Sequence, residues 1–288
     1  MRFTTYLRKG EARLAVVDGN DLVDLNDANP QVPADMRLAL KAGVDLAQAA
    51  AGALKDKAKR QPLASVTLAP LVPEPGKTVC LGLNYFDHAK EGGREKPDYP
   101  WFFFRAASSL VASGQPGIAP QVSTKFDYEA ELAVVIGKKV PRHTKEADAL
   151  QYVFGYSCFN DMSVRDYQKR TPQWTIGKNF DGTGGFGPVL VTADELPEGA
   201  KGLRIQSRLN GQVMQDANTS DMIFSVAETI ALLADVCTLE PGDVLVMGTP
   251  AGVGQARTPP VWMKAGDTIE IEVERIGVLS NPIVAEAN

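Results

Sequence analysis

The chemistry of this chain first shows in Phe126-Asp127-Tyr128-Glu129-Ala130-Glu131-Leu132-Ala133-Val134-Val135-Ile136. A strand sends alternate side chains to opposite faces, so Glu129 and Glu131 share one face, which continues with Ala133 and Val135. Leu132, Val134 and Ile136 occupy the other face, so beyond the acids the strand is apolar on both sides and runs into a core. Two carboxylates at the mouth of such a strand repel each other and lose hydration unless a proton, a cationic side chain or a metal sits between them. By itself the pair is also the pattern of a solvated acidic face. Thr268 to Glu274 supplies the contrast, with Glu270, Glu272 and Glu274 alternating with apolar residues along the whole strand, as a sheet with one wet side requires. A third ligand would decide between the two, and Asp161 is the candidate. It follows the apolar segment Val153 to Phe159 and precedes Ser163 to Gln168, a segment with the composition of a helical first turn. That place suits a helix cap as well as a ligand. If the three acids converge, their all-oxygen donor set suits Mg²⁺ or Mn²⁺, with Ca²⁺ as a substitute, better than zinc or copper.

The chain has only two histidines. His88 lies in Gly82-Leu83-Asn84-Tyr85-Phe86-Asp87-His88-Ala89-Lys90-Glu91-Gly92-Gly93, with Glu91 three residues on. On a helical turn these two side chains are neighbours. Glu91 can then orient the imidazole while the other ring nitrogen takes a proton from water, which makes a general-base dyad. Gly92-Gly93 is placed to hinge this segment as a lid. The same spacing also describes an exposed ion pair of little consequence. His143, beside Pro141 and Arg142, reads as surface. Gly182 to Gly187 formally contains GxGxxG, but Pro188 and the strand-like Val189-Leu190-Val191 follow it, where a dinucleotide loop needs a helix. Thr249-Pro250-Ala251-Gly252-Val253-Gly254 follows a strand, and its hydroxyl and amides could receive a carboxylate; it lacks the Gly-Lys-Ser/Thr ending of a phosphate loop.

These residues need a scaffold, and 288 residues suffice for one large domain or a small one plus a larger one. With 44% hydrophobic and 23% charged residues the composition is that of an ordinary folded globular protein. Thirty Lys and Arg against 35 Asp and Glu give a net charge of -5, which argues against nucleic acid or an anionic membrane as partner. No apolar run approaches the roughly 20 residues of a membrane span, and Met1 to Gly10 has no apolar secretion signal, so a cytoplasmic location is expected. Cys80, Cys158 and Cys237 form no CxxC pair and read as reduced thiols.

Leu14 to Val17 and Leu22 to Leu25 flank a turn at Asp18-Gly19, a small sheet that starts the fold. The spacing predicts helix over Ala34 to Lys59, interrupted near Gly43. Pro70, Pro73 and Pro75 then break the pattern, placing a boundary between a small amino-terminal α/β domain, 1–72, and a larger domain, 73–288. The rest reads as β-rich, giving an α+β chain with strands at Thr78 to Leu83, Glu131 to Ile136, Val153 to Phe159, Val189 to Val191, Leu203 to Leu209, Asp243 to Met247 and Thr268 to Ile276. Asn210-Gly211 marks a two-residue hairpin, and Ser225 with Glu228 caps a helix running to about Val236.

Taken together, Gly82 to Tyr85 with His88 and Glu91, Asp127 to Leu132, Asn160 to Gln168, Lys178, and Gly248-Thr249-Pro250-Ala251-Gly252 resemble the fumarylacetoacetate hydrolase family, especially its smaller acylpyruvate hydrolase branch. The order and spacing cover residues 78 to 280. The resemblance implies a mixed β-sheet roll of the family type, a homodimer, a Mg²⁺ or Mn²⁺ site at Glu129, Glu131 and Asp161, and a water-activating dyad of His88 and Glu91. It gives Lys178, otherwise a loop lysine, the task of polarising a substrate carbonyl. Tyr85, Arg105, Arg165, Gln168 and Thr249 fall where the family lines its substrate site. One departure is Phe102-Phe103-Phe104-Arg105-Ala106, where many relatives carry Lys; Arg105 keeps the charge but not the shape. The reaction so implied is hydrolysis of the carbon-carbon bond of a 2,4-diketo acid, of acylpyruvate or fumarylpyruvate type, as in aromatic catabolism, to pyruvate and a carboxylic acid. The same site would also serve an oxaloacetate decarboxylase or an isomerase of an unsaturated oxo diacid. A noncatalytic binding protein is the third reading.

Overall fold

The computed structural model describes residues 1–56, 59–93 and 95–287. The amino-terminal segment forms β1 (Arg2–Arg8), β2 (Glu11–Asp18) and β3 (Asp21–Asp24). The last two pair through Asp18 and Asp21, so Gly19 and Asn20 make the turn, one residue later than the sequence cue. Helix follows as α1 (Met36–Lys41) and α2 (Leu46–Ala53), parted where Gly43 adopts φ +68°. Beyond the proline stretch come β4 (Thr78–Gly82), β5 (Trp101–Phe104), β6 (Ala130–Ile136), β7 (Val153–Asp161) and β8 (Gly184–Thr192). The hairpin β9 (Arg204–Leu209) and β10 (Gln212–Asn218) turns at Asn210 and Gly211, both at positive φ, as a type I′ turn demands. The chain ends in β11 (Val244–Val246), β12 (Thr268–Val273) and β13 (Gly277–Ala285).

A twelve-stranded sheet runs in the order β3-β2-β1-β8-β7-β6-β11-β4-β5 along its main path, with a short strand, Gln61–Pro62, beyond β3. Strands from both sides of the proline stretch therefore belong to one sheet. Most pairs are antiparallel, but β11 and β4 are parallel. A five-stranded sheet orders β10-β9-β12-β13 and ends in the strand Gly117–Ala119. This is the β-rich α+β architecture expected of the family fold.

Every residue of β6 is buried, because the strand separates two cores. Leu132, Val134 and Ile136 pack into one with Ile205, Ile269, Ile271 and Leu279 of the smaller sheet. Ala133 and Val135 pack into the other with Phe3, Phe103, Phe159 and Phe186, and with Met36, Leu40 and Leu46 of the amino-terminal helices. By contrast Glu270 and Glu272 on β12 are only half-buried and both pair with Arg208, so this second Glu-x-Glu strand is the wet one. The helices beyond the proline stretch include α3 (Phe86–Glu91), α4 (Arg165–Gln168), α5 (Thr175–Lys178) and α6 (Val226–Val236). Ser225 caps α6 by accepting the Glu228 N–H at 3.1 Å. The contrast between the two acidic strands is measurable. Leu132→Ala should cost about 2–5 kcal/mol in urea denaturation, since it leaves a cavity at a fully buried position, whereas Glu272→Ala on the wet face should stay within about 1 kcal/mol.

Candidate metal centre and catalytic cavity

The register of β6 against β7 assembles the acids. Ala130 pairs with Asn160 and Glu131 with Phe159, which carries Glu129 opposite Asp161, whose N–H donates to Glu129 O at 3.0 Å. All three carboxyls therefore project from one face, and each offers an oxygen within 4.8 Å of the others. They are buried, at 4%, 1% and 0% exposure. Asp161 ends β7 and does not cap α4.

Each carboxylate has one oxygen fixed by a donor from the protein. Arg165 Nη1 holds Glu129 Oε1 at 2.6 Å, Arg105 Nε holds Asp161 Oδ1 at 2.5 Å, and the Gly248 N–H holds Glu131 Oε2 at 2.5 Å. Gly248 reaches it at φ +86°, where a Cβ would also meet Asn84 Cβ at 2.6 Å. The second oxygens of Glu129 and Asp161 are bridged by Lys178 Nζ, at 2.7 and 2.6 Å. Lys178 arrives there because α5 packs on α4 through Gly177, where a Cβ would lie 2.4 Å from Gln168 N. Burial would raise the Glu129 carboxyl, but Lys178 and Arg165 outweigh it and hold it at about 2. Glu131 has no such partner: burial, then the charges of Asp161 and Glu129, push it well above the usual carboxylate range. Burial opposes the charge on Lys178, yet Asp161 and Glu129 raise it above its ordinary value. Three close, buried carboxyl groups, one of them disfavoured as a carboxylate by burial and its neighbours' charge, offer an all-oxygen donor set that fits a hard divalent cation.

A cavity of about 370 Å³ opens over Glu129 and Glu131, while Asp161, fully buried, is not among its lining residues. His88, Glu91, Glu129, Glu131, Arg165, Gln168, Lys178 and Thr249 all line it, with Leu83, Phe103, Trp174 and Val253 as apolar wall. Trp174 is set by contact with Gly82, where a Cβ would fall 2.0 Å from its ring. His88 and Glu91 share α3, with Nδ1 3.3 Å from Glu91 Oε2. A carboxylate accepts, so Nδ1 is the donor in this contact, which leaves Nε2 as the ring nitrogen not engaged with Glu91. The other Glu91 oxygen accepts the Gly252 N–H at 3.0 Å, docking the helix on the loop that carries Thr249. Arg165 donates Nε to Asp127 and Nη1 to Gln168 and Glu129, while its Nη2, buried, has no partner among the described residues.

Two residues expected at the substrate stand elsewhere. Arg105 does not line the cavity. It sits behind Asp161, 4% exposed, donating also to Ser109 Oγ, Met162 O and Thr183 O; the pull of the Asp161 carboxylate on a planar five-donor group explains the turn away from the cavity. Tyr85 is likewise outside the lining, and its buried hydroxyl has no partner among the described residues. His143 is exposed, as expected, facing Asp235 at 3.2 Å. Three residues that hold the site together were not singled out by the sequence. Asp127 accepts from Arg165, Gly254 N and Gln255 N. Asn84 ties the start of α3 to Phe224 and Met247 backbone, and Gln215 joins β6 to Thr249. Only Asp127 and Asn84 lie inside the family motifs, and their partners are largely backbone groups that no residue spacing announces.

Residues 77–284 match the family described as fumarylacetoacetate (FAA) hydrolase C-terminal. The chain is 40% identical over 273 residues to the mitochondrial oxaloacetate tautomerase fahd2 of Xenopus laevis, covering 94% of this chain and 85% of that protein. Among solved structures, a putative HpcE protein from Mycobacterium smegmatis superimposes with a TM-score of 0.87 at 32% identity over the full length of both chains. Maleylpyruvate hydrolase from Sphingobium sp. SYK-6, in complex with manganese(II) ion and pyruvate, gives 0.82 at 30% identity, again over both full lengths. By sequence match and by fold, the chain belongs to the fumarylacetoacetate hydrolase family.

Proposed function

We propose that this chain is a divalent-cation-dependent tautomerase of oxaloacetate, interconverting its keto and enol forms. The observation that carries the reading is a cavity lined by an imidazole, a lysine ammonium and two acids, Glu129 and Glu131, of a buried triad completed by Asp161. The substrate is suggested by the relatives named oxaloacetate tautomerase, at 40% identity over 94% of this chain. Glu129, Glu131 and Asp161 would hold Mg²⁺ or Mn²⁺, which supplies Lewis acidity toward the 2-oxo group and the adjacent carboxylate.

The residues divide the proton work. His88 Nε2 takes a proton from C3 of the keto form, the C3–H electron pair becomes the C2–C3 double bond and the oxygen at C2 gains negative charge; return of that proton from Nε2 to the oxygen completes the enol and restores the imidazole. The reverse reaction runs the same steps. Glu91 keeps Nδ1 protonated and so keeps Nε2 available. Lys178 donates a hydrogen bond to the oxygen at C2 where charge develops. Arg165, through its unpartnered Nη2, and Gln168 and Thr249 receive the substrate's carboxylates. Trp174 and the docked α3 form part of the wall beside the base.

The second reading is hydrolysis of an acylpyruvate, favoured by the match to maleylpyruvate hydrolase. There the same dyad would take its proton from a water held against the distal carbonyl. One set of incubations separates the two. With Mg²⁺, the purified protein should speed relaxation of the oxaloacetate tautomers, followed by the ultraviolet absorbance of the enol, and should leave acetylpyruvate and maleylpyruvate uncleaved by NMR; faster cleavage of either acylpyruvate would install the hydrolase reading instead. His88→Gln should lower the tautomerase rate about 10²–10⁴-fold with Mg²⁺ affinity kept, and turnover near wild type would remove its role. Glu129→Ala should abolish Mg²⁺ binding in calorimetry while the far-UV circular dichroism stays native; undiminished affinity would move the cation site elsewhere.

A further inference from the structure

Gln215 lies on β10, in the smaller sheet, and is not part of the cavity lining. Its side chain is buried, the residue being 1% exposed, and it is bonded at both ends of the amide. Oε1 accepts the N–H of Ala130, the residue between Glu129 and Glu131, at 2.9 Å, and the Ser207 hydroxyl at 2.9 Å. Nε2 donates to Thr249 Oγ1 at 2.7 Å and to the Pro250 carbonyl at 2.8 Å. A backbone N–H only donates and a carbonyl only accepts, so the amide can take one orientation. The oxygen of Thr249 is therefore an acceptor toward Gln215, and its hydroxyl hydrogen is directed away from that residue. Among the described residues nothing accepts this hydrogen, and Thr249, 3% exposed, lines the cavity.

The loop is pressed onto the same strand. Gly252, at φ +102°, lies so near that a Cβ would meet Met214 O at 2.4 Å. With the loop held there, Thr249 keeps one lone pair committed to Gln215 and its hydroxyl hydrogen uncommitted among the described residues.

We propose that Gln215 is a positioning residue that fixes Thr249 as a hydrogen-bond donor to a carboxylate oxygen of the bound 2-oxo acid, and that it ties this donor to the strand bearing Glu129 and Glu131. The proposal rests on the cavity being the 2-oxo acid site. Gln215→Glu keeps the shape and both acceptor contacts of Oε1 but cannot donate, so the Thr249 hydroxyl turns to the new carboxylate and away from the cavity.

The test is a double-mutant cycle with Thr249→Val, reading oxalate binding by calorimetry in saturating Mg²⁺. Oxalate is an unreactive mimic of a 2-oxo acid. Gln215→Glu should weaken oxalate about 10–100-fold when Thr249 is present and no more than about 3-fold in the Thr249→Val background, where only the added charge acts. Thr249→Ser should restore the coupling. A merely structural role would lower Tm and weaken oxalate equally in both backgrounds, and that result would overturn the proposal. Should the glutamate variant not fold, the uncharged Gln215→Met runs the same cycle with the same two outcomes. A wild-type protein that binds Mg²⁺ but no oxalate would instead remove the reading of the cavity, separately from the role of Gln215.

Discussion

Three carboxylates buried on one face of a strand pair set the terms for everything around them. Ionised side chains in a low-dielectric interior cost several kcal/mol each unless they are paired and their remaining lone pairs are satisfied. The molecule answers with an outer ring of fixed donors: Arg165 on Glu129, Arg105 on Asp161, and the Gly248 N–H on Glu131. These immobilise one oxygen of each acid and leave the other oxygens within reach of one another, with Glu129 and Glu131 lining the cavity. Lys178 bridges the second oxygens of Glu129 and Asp161. Partners that fix a ligand's rotamer from behind are as much part of a cation site as the ligands. Arg105 belongs to this outer ring, which is why a buried arginine, whose planar fork reaches the carboxylate and two backbone carbonyls at once, serves where a simple charge would leave groups unpaired.

The face-sharing of Glu129 and Glu131 was legible in the sequence because strand alternation is local, and so were the hairpin at Asn210-Gly211 and the helix begun by Ser225. Asp161 was legible only as the end of a strand; that it lies opposite Glu129 is a property of the register between β6 and β7, which the sequence does not state. Arg105 and Tyr85 show the converse. Their place beside motif residues told that they were near the site, but spacing carries no direction, and the structure turns Arg105 behind Asp161 and Tyr85 out of the cavity lining. Asp127, Asn84 and Gln215 were silent for a different reason. Their partners include main-chain atoms of residues such as Gly254, Met247 and Ala130, and a backbone amide has no side-chain signature to find.

The same constraint brings segments distant in the chain to one cavity. The loop 248–254 contributes an amide to Glu131, a hydroxyl at Thr249 and an amide to Glu91, so it touches ligand, substrate position and base at once. Its backbone can come so close only because Gly248 and Gly252 lack a Cβ, at φ +86° and +102°. Asn84 adds a second tie by bonding Met247 just before that loop and Phe224 beyond β10, which anchors the residue that leads into α3. The base and the acidic triad are thereby referred to one frame although they stand on different elements.

Glu91 carries this coupling furthest. One of its oxygens faces His88 Nδ1 and the other receives the Gly252 N–H, so the contact that orients the imidazole and the contact that seats α3 over the cavity belong to a single carboxylate. Were α3 to lift, Glu91 would lose Gly252 and His88 would lose its fixed place relative to the triad in the same movement. On the proposed reading, the imidazole would hold its working orientation only with α3 seated, and an enolate would be the species that tautomerisation, decarboxylation and carbon-carbon cleavage have in common. On that reading, the choice among these reactions would fall to what fits beside Nε2, a matter for the cavity wall of Trp174, Phe103 and Val253 more than for the acids beneath it.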